Sequence, residues 1–196
     1  MCSSRTVTIS SSGRKATIEA AALSAALVLV AASCAPASPP RSSPVGRDDA
    51  PLVAAGALSG PVDFAFESLD ERAMSAEATR GKPTVLTFVT TASLAAQAQV
   101  DFLVAMAKND GDRVHYAVVA VDGRDSREIV ELYKKSLSIP FPVALADAPT
   151  LAGAGAFGDV RAVPVTVVLD RLGRVVWRVD GRLAKSDELR AAMRGL

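Results

Sequence analysis

Gly81-Lys-Pro-Thr-Val-Leu-Thr-Phe-Val-Thr-Thr-Ala-Ser-Leu-Ala-Ala96 passes from a strand pattern straight into a helix pattern with no polar turn between them. From Thr84 to Thr90 both faces are β-branched, aliphatic or aromatic: Val85, Thr87 and Val89 on one, Leu86, Phe88 and Thr90 on the other. That composition suits a strand covered on both sides, as in parallel α/β sheets. From Ser93 the period changes, and Leu94, Ala98, Phe102, Leu103 and Met106 recur at helical spacing until Asn109-Asp110-Gly111 stops the run. Ligands of open α/β sheets sit at the carboxyl ends of the strands. The corner from Thr90 to Ala96 is therefore where function is sought.

That corner resembles the TlpA-type thioredoxin-like family, membrane-tethered thiol-disulfide oxidoreductases whose strand ends in Phe-Trp-Ala-Thr-Trp-Cys-x-x-Cys. Here it reads Phe88-Val-Thr-Thr-Ala-Ser-Leu-Ala-Ala96, with the register held by Gly81-Lys82-Pro83, Phe88 and Thr91. Ser93 stands at the attacking cysteine position and Ala96 at the resolving one. The usual tryptophans are Val89 and Ala92, the acidic residue beyond the second cysteine is Gln99, and the helix proline is Asp101. The resemblance implies a thioredoxin-like α/β fold, with a central mixed sheet flanked by helices, whose catalytic motif is absent.

Cysteine arithmetic sharpens the point. Of 196 residues only Cys2 and Cys34 are cysteine, so the folded region carries no thiol. Dithiol exchange needs one thiolate to attack and a second to resolve, and a peroxidatic mechanism needs at least one. Neither chemistry is available within this polypeptide. From position 34 onward 19 basic residues face 20 acidic ones, which gives no electrostatic case for nucleic acid.

Residues 1–33 read as an export signal. Arg14 and Lys15 precede an uncharged run from Ala20 to Ala32 that, at thirteen residues, is too short to span a bilayer. It ends in Ala31-Ala32-Ser33-Cys34, which resembles the lipobox of bacterial lipoproteins and implies that Cys34 is lipidated and becomes the mature N-terminus. The alternative is a plain secretory signal with an incidental cysteine. Residues 34–59 are rich in Pro, Ser and Ala without apolar periodicity and read as a tether. In extended form its twenty-five residues after Cys34 would reach roughly 75 Å, at about 3.1 Å each. Residues 60–196 are the expected domain.

Along that domain, Val62 to Glu67 and Leu69 to Thr79 resemble the family's opening hairpin and lead-in. Val114 to Val121 is a second buried strand; Asp125 and Glu128 offer a capping-box-like helix start, and Ile129, Leu132, Tyr133 and Leu137 give that helix an apolar face. Phe141 to Leu145 is a short strand before a helix expected over Pro149 to Phe157. Ala162-Val163-Pro164-Val165 matches the segment in which the fold places a cis-proline, which makes Pro164 the candidate and leaves the backbone of Val163 open to a bound chain. Asp170 to Gly173 is a hairpin turn, and Ser186 is expected to cap a last helix over Asp187 to Arg194.

Several residues invite catalytic roles and fit structural ones better. Ser93 is an N-cap type at a helix start; a hydrolase would also need a base within about 3 Å. The one histidine, His115, falls at the amino end of its strand, roughly 15–20 Å from Ser93 if the two strands are parallel. One histidine and no available thiol make no zinc or copper site, so neither a metal nor a cofactor is expected. Trp177 reads as a strand residue packing on the sheet, and Arg127, Glu131, Lys134 and Lys135 as a solvated helix face.

Three functions remain open. The first is a redox-inactive, lipid-anchored protein whose groove, formed by Thr91, Ala92, Ser93 and Leu94 with Val163 and Pro164, binds an extended segment of an envelope protein. The second is an oxidoreductase that acts with partner thiols, and the third an envelope scaffold that uses its outer helices. Ala35 after Cys34 lacks the aspartate that retains many lipoproteins at the inner membrane, which points by analogy to the periplasmic face of the outer membrane.

Overall fold

A computed structural model describes residues 60–196. The expected leader, the candidate anchor Cys34 and the tether lie outside them. Among the described residues no helix is long and apolar enough to cross a membrane.

The strands are β1 (Ala65–Ser68), β2 (Met74–Ser75), β3 (Thr84–Val89), β4 (His115–Ala120), β5 (Val143–Leu145), β6 (Val165–Leu169) and β7 (Val175–Asp180). The helices are α1 (Ala76–Thr79), α2 (Leu94–Asp110), α3 (Arg127–Ser136), α4 (Ala148–Leu151) and α5 (Ser186–Met193). The sheet runs β2-β1-β5-β4-β3-β6-β7. β3, β4 and β5 are parallel, and β6, β7, β1 and β2 join antiparallel. The sheet is thus mixed, as the resemblance implied.

β3 is buried along its whole length because its alternating side chains enter two cores. Val85 and Val89 pack beneath α2, α3 and α5, with Val100, Leu103, Val130 and Leu189. Leu86 and Phe88 face the opposite layer, where Phe88 meets Phe66 at 6.1 Å between ring centroids and Phe157 at 5.3 Å. Within the sheet, the hydroxyls of Thr87 and Thr166 pair at 3.2 Å, so neither buried polar group is left unmatched.

Helix rotation departs from expectation twice. α2 buries Ala96, Gln99, Val100, Leu103 and Met106, while Leu94, Ala98 and Phe102 face solvent; Leu94 is 82% exposed. Apolar residues occur all round this helix, so their spacing does not select a face. In the rotation observed, Gln99 lies in the core and its Oε1 accepts the Ala184 N–H at 2.6 Å. On α3 the buried residues are Val130 and Tyr133, with Ile129 and Leu132 exposed. Here Arg127 reaches Glu67 and Lys134 reaches Asp70, each at 2.6 Å, in the rotation that buries Val130 and Tyr133. The face read as solvated therefore keeps its Arg127–Glu131 pair at 3.2 Å but is tied to the sheet as well.

Three helix ends differ from the reading. Asp125 lies in a 3-10 turn before α3, Ser126 stands at the N-cap without a side-chain cap, and the Ser126 hydroxyl donates instead to the Asp122 carbonyl. α4 stops at Leu151 rather than Phe157, since Gly153 has φ +77 and a Cβ on Gly155 would lie 2.8 Å from the Thr150 backbone. α5 begins at Ser186, so the cap falls on Lys185, whose N–H is accepted by Glu188 at 2.9 Å.

Candidate functional site

The corner is built from the carboxyl ends of β3 and β4. Their parallel register sets Val89 against Ala120, which brings Thr91 opposite Asp122. The Asp122 carboxylate accepts the Thr91 N–H at 2.9 Å and its hydroxyl at 2.7 Å. Ser93 follows as the N-cap of α2: its Oγ accepts the Ala96 N–H at 3.2 Å and its carbonyl accepts the Gln97 N–H at 2.9 Å. Ala96 is fully buried, and Ala92 and Leu94 are exposed.

β6 supplies the second wall. Phe88 pairs with Val165, and continuing that antiparallel register places Pro164 and Val163 beside the last residues of the β3 segment. The Val163–Pro164 peptide is cis. Gly181 N–H bonds to the carbonyls of Ala162 at 2.7 Å and Pro164 at 3.0 Å, which pins both neighbours of Val163. Val163 itself is half-buried, and its N–H and C=O make no hydrogen bond among the described residues. Topology thus gathers Thr91, Ala92, Ser93, Leu94, Val163 and Pro164 at one end of the sheet.

His115 is at the other end, paired in register with Thr84. Five residue steps along the strands separate it from the corner, about 17 Å at roughly 3.3 Å each. Burial, reinforced by Lys82, pushes the imidazole below its ordinary pKa and so favours the neutral form. Among the described residues no group of three His, Cys, Asp or Glu side chains could hold a metal ion. Ser93 has no imidazole near it and its Oγ serves the helix, so the corner holds no Ser–His pair. Its exposed side chains include Ala92 and Leu94, beside the half-buried Thr91, Ser93 and Val163.

Two polar residues shape the site without a motif to announce them. Asp122 is visible only once β3 and β4 are known to be adjacent and parallel. Gln99 is marked in the sequence only by the resemblance; in the structure it is fully buried, joined to Ala184 through Oε1, with Nε2 unpartnered among the described residues.

No protein-family profile matches this chain, and no curated protein matches its sequence. Among solved structures it is similar to the thio-disulfide isomerase of Thermus thermophilus, with 30% identity and a TM-score of 0.55 over 68% of this chain and 92% of that one. It is also similar to a DsbF homologue from Corynebacterium diphtheriae, with 22% identity and a TM-score of 0.61 over 79% and 96% of the two chains. A secreted Mycobacterium tuberculosis disulfide oxidoreductase homologous to Escherichia coli DsbE follows, with 18% identity and a TM-score of 0.56 over 68% and 96%. The two more distant likenesses speak for the fold, and the Thermus protein adds sequence identity along nearly its full length. With a β3–α2 corner and a Val163–Pro164 turn at the same end of the sheet, this chain belongs to the thioredoxin-like (redoxin) family, and its described residues contain no cysteine.

Proposed function

We propose that this protein is a redox-inactive member of its family that binds an extended segment of an envelope protein in the groove between Thr91–Leu94 and Val163–Pro164. One observation carries the reading: Val163 offers an N–H and a C=O with no hydrogen-bond partner among the described residues, beside a corner whose exposed residues include no sulfur. Half-buried backbone groups of this kind are matched by a passing chain, as in other modes that recognise extended peptides. The residue types at Ser93 and Ala96 remove exchange chemistry while leaving that surface in place. In this reading Cys34 carries a lipid anchor and the tether holds the domain in the periplasm, with the outer membrane as its site. The Mycobacterium tuberculosis neighbour is itself described as secreted, which supports an extracytoplasmic setting.

The test is photo-crosslinking in intact envelopes, with a benzophenone amino acid at Ala92 or, as control, at Lys135 on the outer side of α3. A partner adduct is expected from Ala92 and not from Lys135, and Val163→Lys should abolish it while the protein stays folded. An adduct from Ala92 that survives Val163→Lys overturns the groove. Adducts from Lys135 alone favour the scaffold.

A second reading, oxidoreductase activity with partner thiols, is favoured by the likeness to the Thermus thio-disulfide isomerase. Reduction of insulin or of glutathione disulfide by solubilised envelopes that depends on this protein, and that the purified protein alone does not perform, would establish it.

A further inference from the structure

At the pole opposite the groove, a cleft of about 720 Å3 opens where the carboxyl ends of α2 and α5 meet the turn between β6 and β7. Four arginines line it: Arg113, Arg171, Arg190 and Arg194. Its side-chain carboxylates are Asp110 and Asp187, and its floor is apolar, with Pro83, Val114, Met193 and Leu196. The concentration is uneven for this domain, whose residues 60–196 carry 17 basic and 18 acidic side chains.

The arginines differ in what they do. Asp110 is buried; it accepts the Tyr116 hydroxyl at 2.5 Å and faces Arg190 at 3.5 Å, which props Arg190 from behind. Arg113 donates to the carbonyls of Asn109 and Asp110 and so offsets the negative carboxyl end of α2. Arg171 and Arg194 are exposed and have no carboxylate within bonding distance among the described residues. Two unmatched guanidinium groups beside a third held in place form a multivalent cationic site over an apolar floor. Guanidinium forks match phosphate oxygens two at a time, which a scatter of lysines does not do.

We propose that this cleft binds a phosphate-bearing organic anion, with the phosphate against Arg171, Arg190 and Arg194 and the apolar part over Val114 and Met193. The phosphate could belong to a soluble ester or to a lipid headgroup, and either would place the ligand at the pole away from the groove.

The test is calorimetric titration of the full chain in a nonionic detergent with three probes: inorganic pyrophosphate, dihexanoyl-phosphatidylglycerol and dihexanoyl-phosphatidylcholine. Saturable binding of pyrophosphate alone identifies a soluble phosphate ligand. Binding of the glycerol lipid in preference to the choline lipid identifies a headgroup. In either case the double change Arg171→Ala with Arg194→Ala should weaken binding at least tenfold, Arg161→Ala at a distant ion pair should leave it unchanged, and salt near 1 M should suppress it, since screening then acts within about 3 Å. Both changed residues are exposed, and thermal unfolding checks that the variant is intact. The proposal is overturned if no probe saturates below about 1 mM, or if binding persists in the folded double variant.

Discussion

Asp122 holds Thr91 twice, through the backbone N–H at 2.9 Å and the side-chain hydroxyl at 2.7 Å, although 31 positions separate them in the chain. The turn out of β3 is therefore fastened to β4 and not to the helix that follows it. Asp122→Ala is expected to lower the unfolding free energy in urea by about 1.5–3 kcal/mol, the range for hydrogen bonds to a charged group. Thr91→Ala, which removes one of the two contacts, should lower it by less. The double variant should lose less than the sum, because the residues share an interaction; strict additivity would show that the pair is not coupled.

Restoring the family's sulfurs is expected to yield a folded protein with weak activity. Ser93→Cys removes the α2 cap, at about 0.5–2 kcal/mol, and Ala96→Cys adds a sulfur at a fully buried position, at about 1–3 kcal/mol. A domain with roughly 5–15 kcal/mol of stability tolerates both. Thiol titration should find a disulfide between them. Insulin reduction should stay slow, because thiolate reactivity depends on the charge around the sulfur, and the uncharged, buried Gln99 supplies none. Rapid insulin reduction by the double variant would show that only the sulfurs had been lost.

Tyr133 is buried with its hydroxyl unpartnered among the described residues, and burial, reinforced by Asp101 and Asp122, pushes its pKa up to about 12. Folding thus favours the neutral phenol. The stability this group contributes is complete below the unfolded value near 10 and is lost as pH rises from there to about 12. Tyr133→Phe removes an unmatched polar atom, so stability at pH 7 should hold or rise. Its alkaline unfolding limb should be shallower than that of the wild type, and an unchanged limb would contradict the assignment.

At the acid end, burial pushes the Asp70 carboxyl up, but hydrogen bonds from Arg72 and Lys134 outweigh it and hold the group well below the usual carboxylate range. A depressed folded value gives stability that is present above the unfolded pKa near 4 and lost as pH falls below it. Asp70→Asn should therefore destabilise the protein at neutral pH and reduce the loss seen on acidification below about pH 4. Chemical unfolding at pH 7, 4 and 3 distinguishes this from a uniform loss at every pH.

Anchoring is expected to depend on Cys34. The wild type should partition into detergent and incorporate labelled palmitate, whereas Cys34→Ala should do neither. Two acyl chains suffice for stable membrane attachment. Label retained after the substitution would remove the lipoprotein reading.

What the sequence made legible follows from how far each interaction reaches. The full burial of β3, the Ser93 cap and the hairpin turn at Asp170 rest on neighbouring residues and were readable. The separation of His115 from the corner was readable too, because it needed only the direction of two strands. The rotation of α2 was not, since Leu94, Ala98 and Phe102 look as fit for a core as Val100 and Leu103. The Gln99–Ala184 bond that accompanies the observed rotation joins residues 85 positions apart and has no local sign. α3 was misread for the same reason: its Arg127 and Lys134 meet Glu67 and Asp70 on a segment about sixty residues earlier, contacts that its own spacing does not show. Asp122 gave no local sign because its partner exists only after the sheet has formed.

The sheet's outer margins carry a final consequence. One margin is β2, two residues long; the other is β7, which carries the Arg178–Asp180 ion pair and whose pairing with β6 is broken by an irregularity at Leu169. Short, charged or kinked borders are how β-proteins discourage strangers from adding a strand. Edge-on addition of a strand is thus discouraged at both flanks of the domain, so the proposed contact at Val163 would have to form by main-chain bonds at a bend and not by extension of the sheet.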